Sequence, residues 1–324
     1  MTETLKVSAL SVSYGTRQGA LQALRDVSLD VQSGQIVGVV GESGCGKSTL
    51  ISALMRLLPE NAHVTDGRIE LDGEDILTAR ARRLRAMRGR EMSVVFQDPM
   101  TSLNPVLTIG RQMRDIQYRE GLSTAEKDRR AAAMLGRVGL PDPEARLRGY
   151  PHELSGGMRQ RVAIAMATLM HPKLLIADEP TTALDATLEV QIIALLQEIQ
   201  AEIGCAILFI SHHLGVIAEL CDRVVVMYAG ETVEEGPVAD IFERPAHPYT
   251  HKLIECDPGR LKTRAETLPS IPGSLPDLTD PPPGCIFRDR CDLATDICAR
   301  QRPPRRSVSP GRWSACHHAE KVTP

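Results

Sequence analysis

The sequence predicts an α/β fold with a mostly parallel sheet, because short β-branched runs alternate with stretches long enough for helices. Alternating strands and helices need crossover connections, and these place the strands parallel in one sheet. Turn or polar residues follow the runs, as expected for buried strands. The predicted strands are 36–40, 92–96, 174–177, 206–210 and 224–228, and the predicted helices are 48–58, 158–170 and 188–203.

Two further regions depart from this alternation. Segments 5–14, 26–31 and 67–71 alternate apolar and polar residues, which indicates a small antiparallel sheet attached at one edge of the core. Residues from about 100 to 170 lean helical and interrupt the strands, so we expect a helical subdomain there. The predicted core therefore carries an antiparallel β subdomain and a helical subdomain.

The composition changes abruptly from about residue 267. Six prolines fall between residues 269 and 283, and a segment so rich in proline suits neither a helix nor a central strand. Four of the eight cysteines follow this linker. The sequence thus predicts a main domain over residues 1–250 and a small cysteine-rich C-terminal extension over residues 251–324.

The bulk composition limits the functional classes. The 324 residues are 42% hydrophobic and 24% charged, which is ordinary for a soluble globular protein. The net charge of −3 provides no general attraction to nucleic acid or anionic lipid. No run approaches the roughly 18 apolar residues of a membrane-spanning helix, and residues 1–9 lack the features of a secretory signal. We therefore expect any membrane role to act through a protein partner.

A phosphate-binding loop follows the first predicted strand of the core. Residues 41–49, GESGCGKST, match the pattern GxxxxGK[ST] between a strand and a helix. Backbone N–H groups and the helix N-terminus would face the phosphates, Lys47 would neutralise them, and the Ser48 hydroxyl would ligate Mg²⁺. Cys45 occupies a variable position, where a passive thiol is expected. The predicted ATP-binding residues here are Gly41, Ser43, Gly44, Cys45, Gly46, Lys47, Ser48 and Thr49.

Two acidic residues end the predicted strand 174–177. Asp178 stands where a magnesium ligand belongs beside a phosphate loop. Glu179, one residue further, is predicted to orient or deprotonate the water that attacks the γ-phosphate. Two acids after a strand, taken alone, usually form a solvated strand end. Together with the phosphate loop, they indicate a site for magnesium and the attacking water.

A second anion-binding turn precedes the helix at about residue 158. Ser155, Gly156 and Gly157 lie in the sequence LSGGMRQR, which resembles the signature of ATP-binding cassette (ABC) ATPases. Two phosphate-binding turns could hold two nucleotides or share each nucleotide between two subunits. The resemblance implies the second arrangement, in which each signature caps the ATP of the partner cassette. Met158 departs from the family's glutamine.

The resemblance covers residues from about 5 to 250 and implies further site residues. Gln97 matches the glutamine that senses the γ-phosphate and Mg²⁺, and Asp185, in Ala183-Leu184-Asp185, matches the loop that crosses the dimer interface. His212 matches the histidine that hydrogen-bonds the γ-phosphate, and His213 departs from the acid common there. Tyr14 resembles the aromatic residue that stacks on adenine. A packed surface aromatic is the alternative for Tyr14.

Three segments narrow the resemblance to the oligopeptide and dipeptide importers: 95–105, 151–153 and 247–250. The subfamily implies an ATPase that energises a bacterial importer for peptides or a related small solute. It also implies a second, distinct ABC ATPase subunit, two transmembrane permease subunits and an extracytoplasmic solute-binding protein, with this chain peripheral on the cytoplasmic face of the inner membrane. The alternative is a soluble ABC ATPase that acts on nucleic acid or ribosomes. That class normally carries two cassettes, a coiled coil or a basic insertion, and no nucleic-acid partner is expected here.

The clustered cysteines suggest a metal site in the extension. Cys285, Cys291, Cys298 and Cys316 supply four thiolates, enough for one [4Fe–4S] cluster or one zinc ion. Zinc sites usually use CxxC pairs, which are absent here, and the importer subfamily has members whose C-terminal cysteines bind [4Fe–4S]. We favour the cluster, with zinc and unmetallated thiols as the alternatives.

Overall fold

The computed structural model describes residues 2–98, 102–182, 184–257 and 269–322. The chain divides into two compact units, one of residues 1–79 and 209–324 and the other of residues 80–208. The boundary between them falls within a strand, Ala206–Ile210, whose five residues are all buried. None of the helices in the described ranges is both long and apolar enough to cross a lipid bilayer.

The strands and helices have the following bounds. The strands are β1 Glu3–Thr16, β2 Gly19–Gln32, β3 Ile36–Val40, β4 Ala62–Leu71, β5 Glu74–Asp75, β6 Met92–Val95, β7 Leu174–Asp178, β8 Ala206–Ile210, β9 Arg223–Tyr228, β10 Glu231–Pro237, β11 Arg306–Ser309 and β12 Arg312–Ser314. The helices are α1 Lys47–Leu54, α2 Ala81–Met87, α3 Ile109–Ile116, α4 Thr124–Arg137, α5 Pro143–Arg148, α6 Gly156–Thr168, α7 Ala186–Ile203, α8 Leu214–Leu220, α9 Val238–Glu243, α10 Pro248–Glu255 and α11 Asp296–Arg300.

The first unit contains an antiparallel sheet with the strand order β2-β1-β4-β5. Strand β1 pairs with β2 on one side, where Val7 faces Leu29, and with β4 on the other, where Val7 faces Ile69. These three side chains are buried, so one face of the sheet contributes to the core. The antiparallel β subdomain predicted from the alternating segments is therefore present, with longer strands than predicted.

The first unit also contains parallel and antiparallel strand pairs that involve its C-terminal part. Strand β3 pairs with β9 in parallel, while β9–β10, β10–β12 and β12–β11 are antiparallel. The sequence did not predict β10, β11 or β12, because β10 carries three glutamates and the other two strands are short and polar. The described part of the cysteine-rich segment thus extends the sheet of the first unit.

The second unit combines a parallel strand pair with several helices. Strands β6 and β7 pair in parallel from Met92–Leu174 to Val95–Ala177, as the alternation of strands and helices predicts. Helices α3 to α6 occupy most of the region where the helical subdomain was predicted. Helix α4 begins with a capping box between Ser123 and Glu126, which satisfies backbone N–H groups at its N-terminus. The α/β prediction is confirmed in both units.

Candidate nucleotide-binding site

The predicted site residues occur in both compact units. The first unit holds Tyr14, the phosphate loop and His212, and the second unit holds Gln97, the acidic pair, the signature turn and Asp185. Ala183, the first residue of the predicted interface loop, lies outside the described residues, as do Pro99, Met100 and Thr101 of the importer-like segment.

The phosphate loop connects β3 to α1, and its backbone requires glycine at the start. Gly41 has φ +155°, and a β-carbon there would lie 2.1 Å from the carbonyl oxygen of Met227. Any larger residue would push the loop away from β9. Ser43, Gly44 and Ser48 are exposed, so the middle of the loop and the first turn of α1 are accessible to a ligand.

Lys47 lies over the loop that it follows. Its Nζ donates to the carbonyl oxygens of Gly41 at 2.5 Å and Glu42 at 3.3 Å. Cys45 is buried beneath it, and burial raises the pKa of the Cys45 thiol above its usual value. The thiol therefore stays protonated at neutral pH, which agrees with a passive role for Cys45.

Two other predicted residues of the first unit lie at the ends of strands. The Tyr14 hydroxyl is 3.3 Å from the Thr49 hydroxyl, so Tyr14 lies beside the first turn of α1. His212 follows β8 and is exposed, with its ring edge-on to that of His213 at 4.3 Å. The backbone N–H of His213 donates to the Ser211 hydroxyl at 2.9 Å, which fixes the turn that presents both rings.

The acidic pair ends β7 in the second unit. Glu179 has φ +45°, a left-handed conformation that residues with a β-carbon rarely adopt. Gln97 Nε2 donates to Glu179 Oε2 at 2.8 Å, and the Thr182 hydroxyl donates to the same oxygen at 3.0 Å. Glu179 and Gln97, predicted separately from the sequence, are thus hydrogen-bonded to each other. Thr182, three residues after Glu179, is a further contact that was not predicted.

The signature turn forms the start of α6. The Ser155 hydroxyl accepts from the Met158 backbone N–H at 3.4 Å and caps the helix, while Ser155 and Gly156 remain exposed. Gly157 is buried, and a β-carbon there would lie 2.9 Å from the Leu188 side chain. Glycine at this position therefore lets the turn pack against α7. An exposed helix N-terminus suits an anionic ligand.

Asp185 lies at the N-terminus of α7. Its carboxylate accepts from the Leu188 backbone N–H at 3.0 Å and caps this helix. The structure therefore shows a capping role for Asp185, and the predicted role at a cassette interface stays a prediction.

Comparison with known proteins decides the family. A model of the ABC transporter family matches residues 24–182, which include the phosphate loop, the acidic pair and the signature turn. The chain is also 47% identical over 305 residues to the dipeptide transport ATP-binding protein DppD of Bacillus subtilis, covering 94% of this chain and 91% of that protein. The chain belongs to the ABC transporter family.

Two further similarities support this assignment. It is 45% identical over 313 residues to the oligopeptide transport ATP-binding protein OppD of Salmonella typhimurium, covering 96% of this chain and 92% of that protein. The solved dimer of an ATP-binding cassette in a post-hydrolysis state, bound to ADP and Pi, is 28% identical with a TM-score of 0.65. That similarity covers 72% of this chain and 98% of the solved chain.

The C-terminal part of the ABC chain matches a second family model. Residues 233–298 match the oligopeptide/dipeptide transporter, C-terminal region. This match includes three of the four clustered cysteines and the segment 247–250 that indicated the importer subfamily. The resemblance to oligopeptide and dipeptide importers is therefore confirmed.

The four clustered cysteines are free thiols in the first unit. Burial raises the pKa of Cys285 to about 12 and that of Cys316 to about 11, and the nearby thiols of Cys291 and Cys298 add to both shifts. The Cys285 backbone N–H donates to the Cys298 carbonyl at 2.8 Å. Nevertheless, no group of three or more His, Cys, Asp or Glu side chains among the described residues is placed to hold a metal ion. The comparisons and the structure thus do not support the predicted [4Fe–4S] or zinc site.

Proposed function

We propose that this ABC ATPase powers the import of peptides, either dipeptides or longer oligopeptides. The observation that carries the proposal is the similarity over nearly the full chain to ATP-binding proteins named for oligopeptide and dipeptide transport, at 45% and 47% identity. The C-terminal match to the oligopeptide/dipeptide transporter region supports it independently of the ATP-binding motifs. The alternative, a soluble ABC ATPase acting on nucleic acid, has no comparable support.

The phosphate loop would bind ATP. Loop N–H groups and Lys47 would receive the β- and γ-phosphates, and Tyr14 would stack on adenine. Ser48, Asp178 and Gln97 would each offer a hard oxygen ligand of the kind that Mg²⁺ prefers. A metal ion held by these residues would supply positive charge to the phosphates.

Glu179 would act on the attacking water. Its Oε2 already accepts from Gln97 and Thr182, so its carboxylate is held in one orientation. An oriented carboxylate positions water and accepts its proton, and most of the rate gain comes from this positioning. His212 would hydrogen-bond the γ-phosphate.

The exposed signature turn supports a paired arrangement. Ser155, Gly156 and Gly157 would cap ATP held by the phosphate loop of a second cassette, and Asp185 would lie near that interface. We propose that the second cassette is a distinct chain and that two transmembrane permease subunits and an extracytoplasmic solute-binding protein complete the transporter. The chain would then be a peripheral subunit on the cytoplasmic face of the inner membrane.

The function is tested on the native complex. The full chain, carrying an affinity tag, is purified from membranes, and its partner subunits and the ligand of the binding protein are identified by mass spectrometry. We expect to find permease subunits, a second cassette and bound peptides. We also expect the binding protein to stimulate ATP hydrolysis when it is loaded with peptide. Stimulation by a non-peptide solute alone would exclude peptide import while leaving the ATPase assignment intact.

We also propose that residues 1–250 form the ATPase domain and that the extension, residues 251–324, binds one [4Fe–4S] cluster. The support is the donor set, since Cys285, Cys291, Cys298 and Cys316 are free thiols that influence one another electrostatically. Their sulfur atoms do not form a ready metal site, so binding requires them to lose protons and move together.

Metal analysis of the anaerobically purified full chain tests the cluster. The proposal expects about four iron and four sulfide per chain, lost in Cys285→Ser and Cys298→Ser. Cys256→Ser is the matched control, because Cys256 is a free thiol outside the cluster of four. Stoichiometric zinc, or no metal at all, would refute the proposed cluster.

A further inference from the structure

The phosphate loop is contacted by two side chains that come late in the sequence. The Glu42 backbone N–H donates to the Tyr249 hydroxyl at 2.9 Å. Arg290 donates to both carboxylate oxygens of Glu42, from Nη1 at 2.7 Å and from Nη2 at 3.0 Å. All three residues belong to the first compact unit. The second residue of the loop is therefore held through both its backbone and its side chain.

Arg290 is fixed before it reaches the loop. It is 7% exposed, and its guanidinium also donates to the carbonyl oxygens of Pro272 at 2.9 Å and Ile271 at 3.0 Å. Nη1 lies 3.3 Å from the Tyr228 hydroxyl as well. A bidentate pair with these additional acceptors allows the guanidinium one orientation. Arg290 thus links the proline-rich linker to the phosphate loop.

Tyr249 is fixed by aromatic packing. It is fully buried, with its ring 4.6 Å from that of Tyr228 and 5.4 Å from that of Phe287. Its backbone N–H donates to His247 Nδ1 at 3.1 Å, which anchors the start of α10. The segment 247–250, which indicated the importer subfamily, therefore has a structural reason for its tyrosine.

The position of Glu42 makes these contacts relevant to ATP. Its carbonyl oxygen accepts from Lys47 at 3.3 Å, so its orientation bears on the lysine that would receive the phosphates. The Glu42 carboxylate also places a negative charge on a loop that would bind a triphosphate. An unpaired carboxylate there would repel the phosphates. Arg290 neutralises that charge and prevents it from turning toward the ligand.

We propose that Tyr249 and Arg290 are positioning residues for the phosphate loop, with Arg290 acting through the Glu42 carboxylate. This inference rests on the proposed function, because the proposed function makes ATP the ligand of the phosphate loop. It assigns the extension a role in ATP binding that is independent of any metal at the cysteines.

The test measures the Kd for ATP of the purified full chain by calorimetry. Arg290→Gln is expected to weaken binding about tenfold, because the Glu42 charge is then unpaired. Adding Glu42→Gln to this variant removes the repulsion and is expected to restore most of the affinity. Tyr249→Phe keeps the ring and is expected to weaken binding about threefold. In the reconstituted complex, KM for ATP should rise in the single variants while kcat stays unchanged.

Arg288→Gln is the matched control, because Arg288 pairs with exposed Asp289 in the same turn and should leave the Kd unchanged. Failure of the wild-type chain to bind ATP would contradict the proposed function itself. If the wild type binds ATP, unchanged affinity in both Arg290→Gln and Tyr249→Phe would overturn the inference. If Arg290→Gln weakens ATP binding and the added Glu42→Gln does not restore it, Arg290 acts only by holding the linker. That result would also overturn the inference.

Discussion

At the residue scale, Glu179 combines an unfavourable backbone with a restrained side chain. Its left-handed φ of +45° costs on the order of 1 kcal/mol for a residue with a β-carbon, and such costs persist where function requires them. Gln97 and Thr182 both donate to one oxygen of its carboxylate. These two contacts restrain the carboxylate, as expected of a group that orients the attacking nucleophile.

Glu179→Gln is therefore expected to retain ATP binding and to lose nearly all turnover, by about 100-fold or more, because the amide cannot accept the proton of the water. Slow turnover should also accumulate the closed cassette dimer. ATP binding by calorimetry and phosphate release by the reconstituted complex measure the two effects. Glu198→Gln, at an exposed glutamate of α7, is the control. Near-normal phosphate release by Glu179→Gln would contradict the role assigned to Glu179.

His247 provides a pH dependence at the same scale. It is fully buried, and desolvation lowers its pKa from 6.5 to about 3. Below pH 6.5 the His247 imidazole is protonated in the unfolded chain but stays neutral in the folded chain. The free energy of unfolding therefore falls as the pH falls toward 3. This imidazole must stay neutral to accept from the Tyr249 backbone N–H.

His247→Asn keeps an acceptor at the helix cap and removes the titration. Between pH 6.5 and about pH 4.5, the wild type should lose about 2 to 3 kcal/mol more of its free energy of unfolding than this variant. Urea unfolding at both pH values measures the difference. His63→Asn, at an exposed histidine of the same unit, should follow the wild type, and an equal pH response in His247→Asn would refute the assignment.

Residue partners were predictable from the sequence only where they are local. The spacing GxxxxGK[ST] identifies Lys47 and Ser48 because the groups that bind the phosphates and Mg²⁺ lie within one short segment of the chain. Glu42 has partners 207 and 248 residues away, and no spacing rule connects it to Tyr249 or Arg290. Thr182 could have been selected, since a hydroxyl three residues after a catalytic acid lies within reach of it.

At the element scale, β10 is the strand that the sequence least predicts. Glu231, Glu234 and Glu235 are almost completely buried in it. Glu234 pairs with Arg312 at 2.8 Å, and Glu235 pairs with Arg223 and accepts from Trp313 Nε1 at 2.7 Å. A strand with three glutamates resembles an exposed segment until the arginines that neutralise it are known. Most of these arginines lie about 70 residues further along the chain, beyond any sequence window.

Glu234→Ala should lower the free energy of unfolding by about 3 to 5 kcal/mol, because it leaves the buried Arg312 guanidinium without its carboxylate. The same carboxylate accepts from the backbone N–H groups of Ala246 at 2.8 Å and His247 at 3.1 Å, which would also lose their partner. Urea unfolding measures the loss. Glu243→Ala, at an exposed glutamate of α9, should change the value by less than about 0.5 kcal/mol. Equal stability of the two variants would contradict the buried role of Glu234.

At the scale of the whole molecule, the ATP-binding motifs are divided between two compact units. The phosphate loop and His212 belong to one unit, and the acidic pair and the signature turn belong to the other. The order of the motifs along the chain predicted the α/β cassette, because each motif lies at the end of a strand or the start of a helix. The sequence did not predict that the described part of the extension would join the first unit, since the arginine and aromatic contacts that hold it there are non-local.

In the proposed function, ATP hydrolysed at this chain drives peptide uptake. The most direct measurement is uptake of a labelled peptide by vesicles reconstituted with the complete transporter, with ATP on the cassette side and binding protein on the other. We expect uptake that requires ATP and is lost when this chain carries Glu179→Gln, while the complex still assembles. Undiminished uptake with that variant, or uptake without ATP, would contradict it.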